Sequence, residues 1–239
     1  AGCTYLNFTA SHDGIGVRPL QGLLPEDELE RVLERVRARG GQVSTRRDGT
    51  GPDRPYELNC TYFDALAEGL DRELDIARFL CSQTLPLCLQ GIPAVYLHSL
   101  TGSGNDQEGF RASGRARSLN RRPWPLEELE GKLEEVGSRE RTVFQELTRR
   151  LALRRGEALL HPAVPQEILD AGDACFAVAR RGDGASLVAL HNLTAQPQRV
   201  KVEALRGRKS VADLIEKKEL PGTDDVPLAP YQCRWLLVI

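Results

Sequence analysis

Apolar positions along this chain follow two different periods. Over 25–41 the period is helical: Leu29, Val32, Leu33 and Val36 recur on one face, Pro25-Glu26-Asp27-Glu28 supplies helix-start chemistry, and Gly40-Gly41 ends the run. A second helical stretch follows Asp71, with Leu74, Ile76, Ala77, Leu80 and Cys81 apolar. Two more helices are predicted, from Pro125 to Val136 and from Ser138 to Arg155, the last burying Val143, Phe144, Leu147 and Leu151. An extended apolar stretch at Leu6-Asn7-Phe8-Thr9-Ala10 predicts a buried strand. The short, β-prone run Ile92-Pro93-Ala94-Val95-Tyr96-Leu97-His98 predicts a buried parallel strand. Residues 42–56, rich in Gly, Pro and Arg, and residues 101–122, with Gly102, Gly104, Gly109 and Gly114, are expected to be long exposed loops.

The pattern changes near His161-Pro162. From Gln166 onward, Ala174 to Ala179, Leu187 to His191, Arg199 to Val202 and Arg234 to Ile239 are short β-prone runs, with a turn signal at Gly182-Asp183-Gly184. This predicts two domains, 1–160 and 161–239, the second a small antiparallel β domain. Two parallel strands with their helices cannot close a barrel, which takes about eight strands. Residues 1–160 therefore read as the tail of a (β/α)8 barrel, and the fold class as α/β plus all-β.

Composition narrows the function. The chain has 239 residues, 41% hydrophobic, with 32 Lys and Arg against 34 Asp and Glu, a net charge of -2. Acidic and basic residues balance along the chain with no basic stripe or aromatic stacking series, so no nucleic-acid partner is expected. No apolar run approaches the roughly 20 residues of a membrane helix and the first residues carry no secretory pattern. The expectation is a cytoplasmic protein with no membrane partner, for which the sequon at Asn192-Leu193-Thr194 carries little meaning. Cys3, Cys60, Cys81, Cys88, Cys175 and Cys233 lie far apart, mostly among apolar neighbours, which predicts buried thiols rather than a disulfide frame. No CxxC or HxxxH spacing suggests zinc, and no metal or organic cofactor is implied. The chain has no Met, initiator included, and opening with Ala-Gly-Cys it reads as a piece of a longer protein.

The chemistry-bearing run is Leu6-Asn7-Phe8-Thr9-Ala10-Ser11-His12-Asp13-Gly14-Ile15-Gly16, which joins an apolar stretch to a His-Asp pair and a glycine turn. Charged pairs at strand ends form the floor of active sites in barrels and open sheets, although a lone His-Asp dipeptide also suits a plain turn. Together with Val17-Arg18-Pro19 it resembles the fourth signature of the α-amylase superfamily, at barrel strand seven. Tyr56 to Leu66, Gly91 to Leu100 with Gly102 and Asn105-Asp106, and Ser118-Leu119-Asn120-Arg121 extend the resemblance in the same order. It covers essentially the whole chain and is closest to the sucrose phosphorylase branch with its glucosylglycerate phosphorylase relatives. The resemblance implies strands seven and eight of a (β/α)8 barrel with their helices, followed by the β domain.

Members of this branch carry out retaining glucosyl transfer. An Asp attacks the anomeric carbon, a Glu protonates the leaving oxygen, and phosphate releases α-glucose 1-phosphate. By the resemblance Asp13 would be a third carboxylate, a transition-state stabiliser holding ring hydroxyls, ionised with the help of His12 or Arg121. His12 would bind a neighbouring hydroxyl and Arg121 would reach the glucosyl subsite, its alternative being a surface arginine beside Arg122. His98 would end strand eight, orienting a loop. Where sucrose phosphorylases carry a motif resembling Asp-x-Tyr-Gln-x-Asn, this chain reads Arg54-Pro55-Tyr56-Glu57-Leu58-Asn59. Arg54, with Arg46, Arg47 or Arg18, would pair with an anionic acceptor such as glycerate or a sugar phosphate, unless it points to solvent from a mobile loop.

Nothing in the sequence matches the family's nucleophile or acid/base on strands four and five. The expected function is a C-terminal fragment of a glucosyl-transferring phosphorylase acting on a glucosylglycerate-like or sucrose-like α-glucoside, inactive alone. Its expected partners are the sugar, inorganic phosphate, and the missing N-terminal barrel half or a second copy, since two barrel strands expose edges. The alternatives are an α-glucoside hydrolase of the same superfamily and a non-catalytic carbohydrate-binding or scaffold fragment.

Overall fold

The computed structural model of the protein describes residues 3–47, 49, 51–182 and 184–238. Asp48 and Thr50 of the 42–56 segment, Asp183 of the 182–184 turn, Ile239 and the opening Ala1-Gly2 lie outside the described residues. In chain order the elements are β1 (Leu6–Asn7), β2 (Ile15–Gly16), α1 (Glu26–Ala38), β3 (Gln42–Arg47), β4 (Asp53–Asn59), α2 (Tyr62–Leu66), α3 (Arg72–Cys88), β5 (Ile92–Pro93), α4 (Leu97–Leu100) and α5 (Gln107–Ser113). They continue with α6 (Leu126–Glu134), α7 (Arg139–Gly156), β6 (Gln166–Leu169), β7 (Cys175–Gly182), β8 (Ala185–Asn192), β9 (Gln198–Lys201), β10 (Ser210–Asp213), β11 (Lys218–Pro221), β12 (Asp225–Leu228) and β13 (Cys233–Val238).

The four helices with a clear apolar period form where the sequence places them. In α1, Leu33 and Val36 are buried and Glu26, Asp27 and Glu28 occupy the first turn, where carboxylates favour the helix dipole. Helix α3 begins where the Asp71 side chain accepts a hydrogen bond from Leu74 N at 3.0 Å. In α7, Val143 and Leu147 are fully buried, while Phe144 and Leu151 are half-buried.

Three expectations fail. Residues 42–56 are not a loop: β3 and β4 pair antiparallel from Gln42 with Asn59 to Arg47 with Asp53, with a register shift between Ser44 and Thr45. The Gly and Pro content that suggests a loop lies toward the hairpin tip. Val43, Thr45 and Leu58 supply strand-forming side chains, and the pairing satisfies the backbone. Residues 101–122 also hold regular structure. Asp106 caps α5 by accepting from Gly109 N at 2.8 Å, Gly114 ends it at φ 64°, and a 3₁₀ turn covers Ala116–Asn120. The strands at 6–10 and 92–98 are shorter and more exposed than predicted. β1 and β5 pair in parallel over two residues each, and from Tyr96 the chain turns into α4. Leu6 is 63% exposed, Phe8 56% and Ile92 49%, since among the described residues β1 and β5 pair only with each other.

The chain forms two compact units. One comprises 1–7, 68–94 and 145–239, the other 8–67 and 95–144. In the first, an antiparallel sheet runs in the order β11-β10-β13-β8-β7-β6, with β12 and β9 paired separately. One layer of its core gathers Val188, Leu190, Val200, Val226 and Leu236, and another Leu87, Leu160, Leu187 and Trp235. The carboxyl end of α3 in this unit is held by arginines. Arg154 donates to Leu87 O and Gly91 O at 2.6 Å, and Arg180 donates to Cys88 O at 2.9 Å. Cations there satisfy carbonyls that the helix leaves unpaired and favour its negative pole. In the second unit, β2-β4-β3 form a three-stranded sheet, and Val17, Leu33, Val36, Leu58 and Cys60 make its core. Among the described residues, no helix is long and apolar enough to cross a membrane.

Candidate functional site

His12 and Asp13 occupy the tip of a tight turn rather than the last positions of a strand. Ser11 and Gly14 exchange both backbone hydrogen bonds, at 3.0 and 3.1 Å, and Ser11 Oγ accepts from Asp13 N at 3.2 Å. Gly14 is required there: its φ is 121°, and a Cβ would lie 2.2 Å from Leu58 O. That close approach lets β2 pair with β4, Ile15 opposite Leu58 and Gly16 opposite Glu57, which brings the turn beside the buried end of β4.

Five of the seven candidate residues converge at this turn. Arg121 donates to the Asp13 carboxylate through Nη2 and to His12 O through Nε at 2.5 Å. His12 Nε2 lies 3.4 Å from Asp13 Oδ1. Asn59, fully buried, donates through Nδ2 to Asp13 O at 3.1 Å and to Glu57 Oε2 at 3.2 Å, and accepts from Ser44 Oγ at 2.5 Å. Glu57 is 5% exposed. Its two oxygens accept from Nε and Nη2 of Arg117, each at 3.1 Å, a paired geometry that fixes both planes. The same guanidinium places Nη1 3.0 Å from Asp13 Oδ1, and its pKa is raised, first by the Glu57 hydrogen bond.

Arg117 and Asn120 are the site residues that sequence reading missed. Asn120 donates through Nδ2 to His12 O at 2.8 Å, and its own carbonyl accepts from the Tyr96 hydroxyl at 2.9 Å. Arg117 stands four residues before Arg121. It lies in the 3₁₀ turn Ala116–Asn120, which Arg121 ends, and its approach to Glu57 and Asp13 is set by the fold rather than by a local spacing.

Arg54 and Tyr56 lie elsewhere on the hairpin. With Arg18, Gln21, Arg46 and Pro55 they line a shallow hollow, and the Arg46 guanidinium stands 5.6 Å from the Tyr56 ring centre. Arg47, next to Arg46 on β3, is paired with Asp53 at 3.1 Å.

A second set of polar groups braces the 101–122 segment. Asn105 N donates to Asp64 Oδ2 at 2.7 Å and Asn105 Oδ1 accepts from Thr61 N at 2.7 Å. Burial pushes the Asp64 carboxyl up despite that bond, and burial with Asp64 nearby pushes the Cys60 thiol up to about 12. His98 stacks on Tyr96 at 5.0 Å between centres, and burial lowers its pKa, the Arg122 main chain opposing.

The arrangement presents a carboxylate on a rigid turn, two half-exposed guanidiniums and a histidine, groups suited to sugar hydroxyls. A metal ion has no place there, because guanidiniums already face both carboxylates. Among the described residues, the ligand atoms of three His, Cys, Asp or Glu side chains converge in the other unit, at Cys81, His191 and Cys233.

Comparison with known proteins agrees with both parts of this architecture. Residues 173–236 match the family model for the D-apionate lactonase C-terminal immunoglobulin-like domain. Over 236 residues, 98% of this chain, it is 35% identical to glucosylglycerate phosphorylase of Escherichia coli strain K12, covering 41% of that protein. Over 238 residues it is 38% identical to glucosylglycerate phosphorylase of Allomeiothermus silvanus, covering 40%. The chain thus spans about two fifths of the length of these relatives. In fold it is similar to the crystal structure of sucrose 6F-phosphate phosphorylase from Thermoanaerobacter thermosaccharolyticum. The TM-score is 0.66 at 24% identity, over 79% of this chain and 35% of that one.

Proposed function

We propose that this chain, similar to glucosylglycerate and sucrose phosphorylases over part of their length, belongs to the α-amylase superfamily and carries the sugar-binding side of a retaining glucosyl-transfer site. The protein of which it forms this part transfers glucose from a glucosylglycerate-like α-glucoside to phosphate, giving α-glucose 1-phosphate. In this reading 1–160 is the end of the (β/α)8 barrel and 161–239 its C-terminal β domain.

The observation that carries it is the convergence of Arg117 and Arg121 on Asp13. Both guanidiniums meet Oδ1, leaving Oδ2 for a ring hydroxyl of the glucosyl unit. A carboxylate clamped this way holds its position while positive charge develops at the anomeric carbon, which is electrostatic stabilisation and not nucleophilic attack. His12, 68% exposed, reaches a neighbouring hydroxyl. Glu57 orients Arg117 from beneath, and Asn59 ties the Asp13 carbonyl to β4. The hollow around Arg18, Arg46 and Arg54 favours an anionic acceptor, since arginines match carboxylate and phosphate in pairs of hydrogen bonds.

A retaining transfer also needs a nucleophile and a proton donor roughly 5 Å apart. Arg117 holds both oxygens of Glu57, and nothing in the sequence resembles the family's nucleophile or acid/base, so the proposal assigns those two groups to residues outside this chain. The partners are the sugar, inorganic phosphate, and the polypeptide that supplies those two groups. Five buried free thiols suit a reducing compartment, and the proposal places the protein in the cytoplasm. Incubating the 239-residue chain with glucosylglycerate and phosphate tests the division of labour. No glucose 1-phosphate is expected, and sustained release would show that the chain carries its own nucleophile.

A further inference from the structure

His191 is fully buried on β8, where its register partner on β13 is Cys233. Its two ring nitrogens both meet sulfur: Nδ1 lies 3.2 Å from Cys233 Sγ, and Nε2 lies 3.4 Å from Cys88 Sγ. Cys81 stands seven residues before Cys88 on α3, two turns along the same face. The ligand atoms of Cys81, His191 and Cys233 all lie within 4.8 Å of one another. Cys81 Sγ also lies 3.4 Å from Asn192 O, beside His191 in the chain.

An imidazole taken out of water needs good hydrogen-bond partners, and thiols are weak ones. Two sulfurs and a ring nitrogen are, by contrast, a ligand set for a soft metal ion. Around zinc, bond lengths of ~2.3 Å to sulfur and ~2.0 Å to nitrogen put ligand atoms under about 4 Å apart, so small side-chain shifts would bring these three ligands into bonding range. The other nitrogen already has what a metal-bound histidine requires. Cys88 faces Nε2 and fixes which nitrogen is left for the ion, as outer partners do in metal sites.

We propose that Cys81, His191 and Cys233 bind a soft, thiophilic metal ion such as Zn2+, with Cys88 orienting the imidazole. The two thiols release their protons to solvent as the ion enters, so two thiolates and a divalent ion leave the buried cluster neutral. The ion would tie α3 to the paired strands β8 and β13.

The test uses the 239-residue chain, stripped with chelator, then either incubated folded or unfolded and refolded with Zn2+, and desalted. One zinc per chain is expected after refolding. In a parallel sample, Co2+ should give the sulfur-to-metal charge-transfer absorption of thiolate ligation, a readout that needs no variant. A Cys81→Ser/Cys233→Ser double variant should lose both signals, while Cys175→Ser, a buried cysteine outside the cluster, should keep them. Cys88→Ser should keep the ion but bind it about tenfold or more weakly. Metal-free protein after refolding, or zinc retained by the double serine variant, would overturn the proposal.

Discussion

Two sets of arginines, one in each unit, serve different ends. In the unit holding the β domain, Arg150, Arg154 and Arg180 are buried, and their donors go mainly to backbone carbonyls: Leu80 O for Arg150, which also meets Thr84 Oγ1 and Glu146 Oε2, Leu87 O and Gly91 O for Arg154, and Cys88, His161, Val164 and Pro165 carbonyls for Arg180. In the other unit, Arg117 and Arg121 face carboxylates and remain 45% and 37% exposed. A buried guanidinium committed to carbonyls has nothing to exchange and acts as a strut for α3. A half-exposed one beside a carboxylate can trade solvent for a hydroxyl without dismantling the fold. In the proposed function the chemistry belongs with the exposed pair, and the stability with the buried set.

The largest effect separating the two classes is expected at Arg180. Arg180→Met removes the donor from four carbonyls around a side chain that cannot replace it, and urea unfolding should show a loss of about 3 kcal/mol or more. A loss below ~1 kcal/mol would remove the distinction between strut and site.

A smaller, pH-dependent effect is expected at His98. Burial lowers its pKa from 6.5, so the folded state holds the ring neutral while the unfolded chain takes up a proton below that value. Its contribution is complete above pH 6.5 and is lost as pH falls from there through the lowered folded value. Unfolding measured at pH 7 and pH 5 should therefore show a shallower acid loss for His98→Phe, which keeps an aromatic ring against Tyr96. Equal slopes in the two proteins would contradict it.

The smallest stability effect is expected at Arg121. Its ion pair with Asp13 is more than a third exposed, so Arg121→Gln should cost under about 1 kcal/mol in the same unfolding assay. A loss as large as that of Arg180→Met would recast Arg121 as part of the scaffold.

Much of this architecture is readable from local pattern. The helical period of Leu29, Leu33 and Val36 and the cap at Asp71 depend on neighbours a few residues away, and both features stand in the structure. The β3–β4 hairpin does not, because its stability lies in cross-strand pairs such as Val43 with Leu58, invisible to a reading of Gly, Pro and Arg content. The same holds for Arg117, which approaches Glu57 across 60 residues of chain. The Cys81, His191 and Cys233 cluster lies further still from sequence reading, since its members come from one helix and two strands. Local pattern located His12 and Asp13, but only tertiary structure shows them on a tight turn held by two arginines and an asparagine from β4.

The central claim, that the Asp13 turn is a glucosyl-binding subsite, is tested most directly by binding. Titrating the chain with glucosylglycerate, followed by ligand-observed NMR, should show saturable binding by the wild-type chain. Asp13→Asn keeps the shape of the turn but removes the charge that Arg117 and Arg121 face, and it should weaken that binding by about tenfold or more. Equal affinity in the two proteins, or no binding by the wild-type chain, would contradict the account.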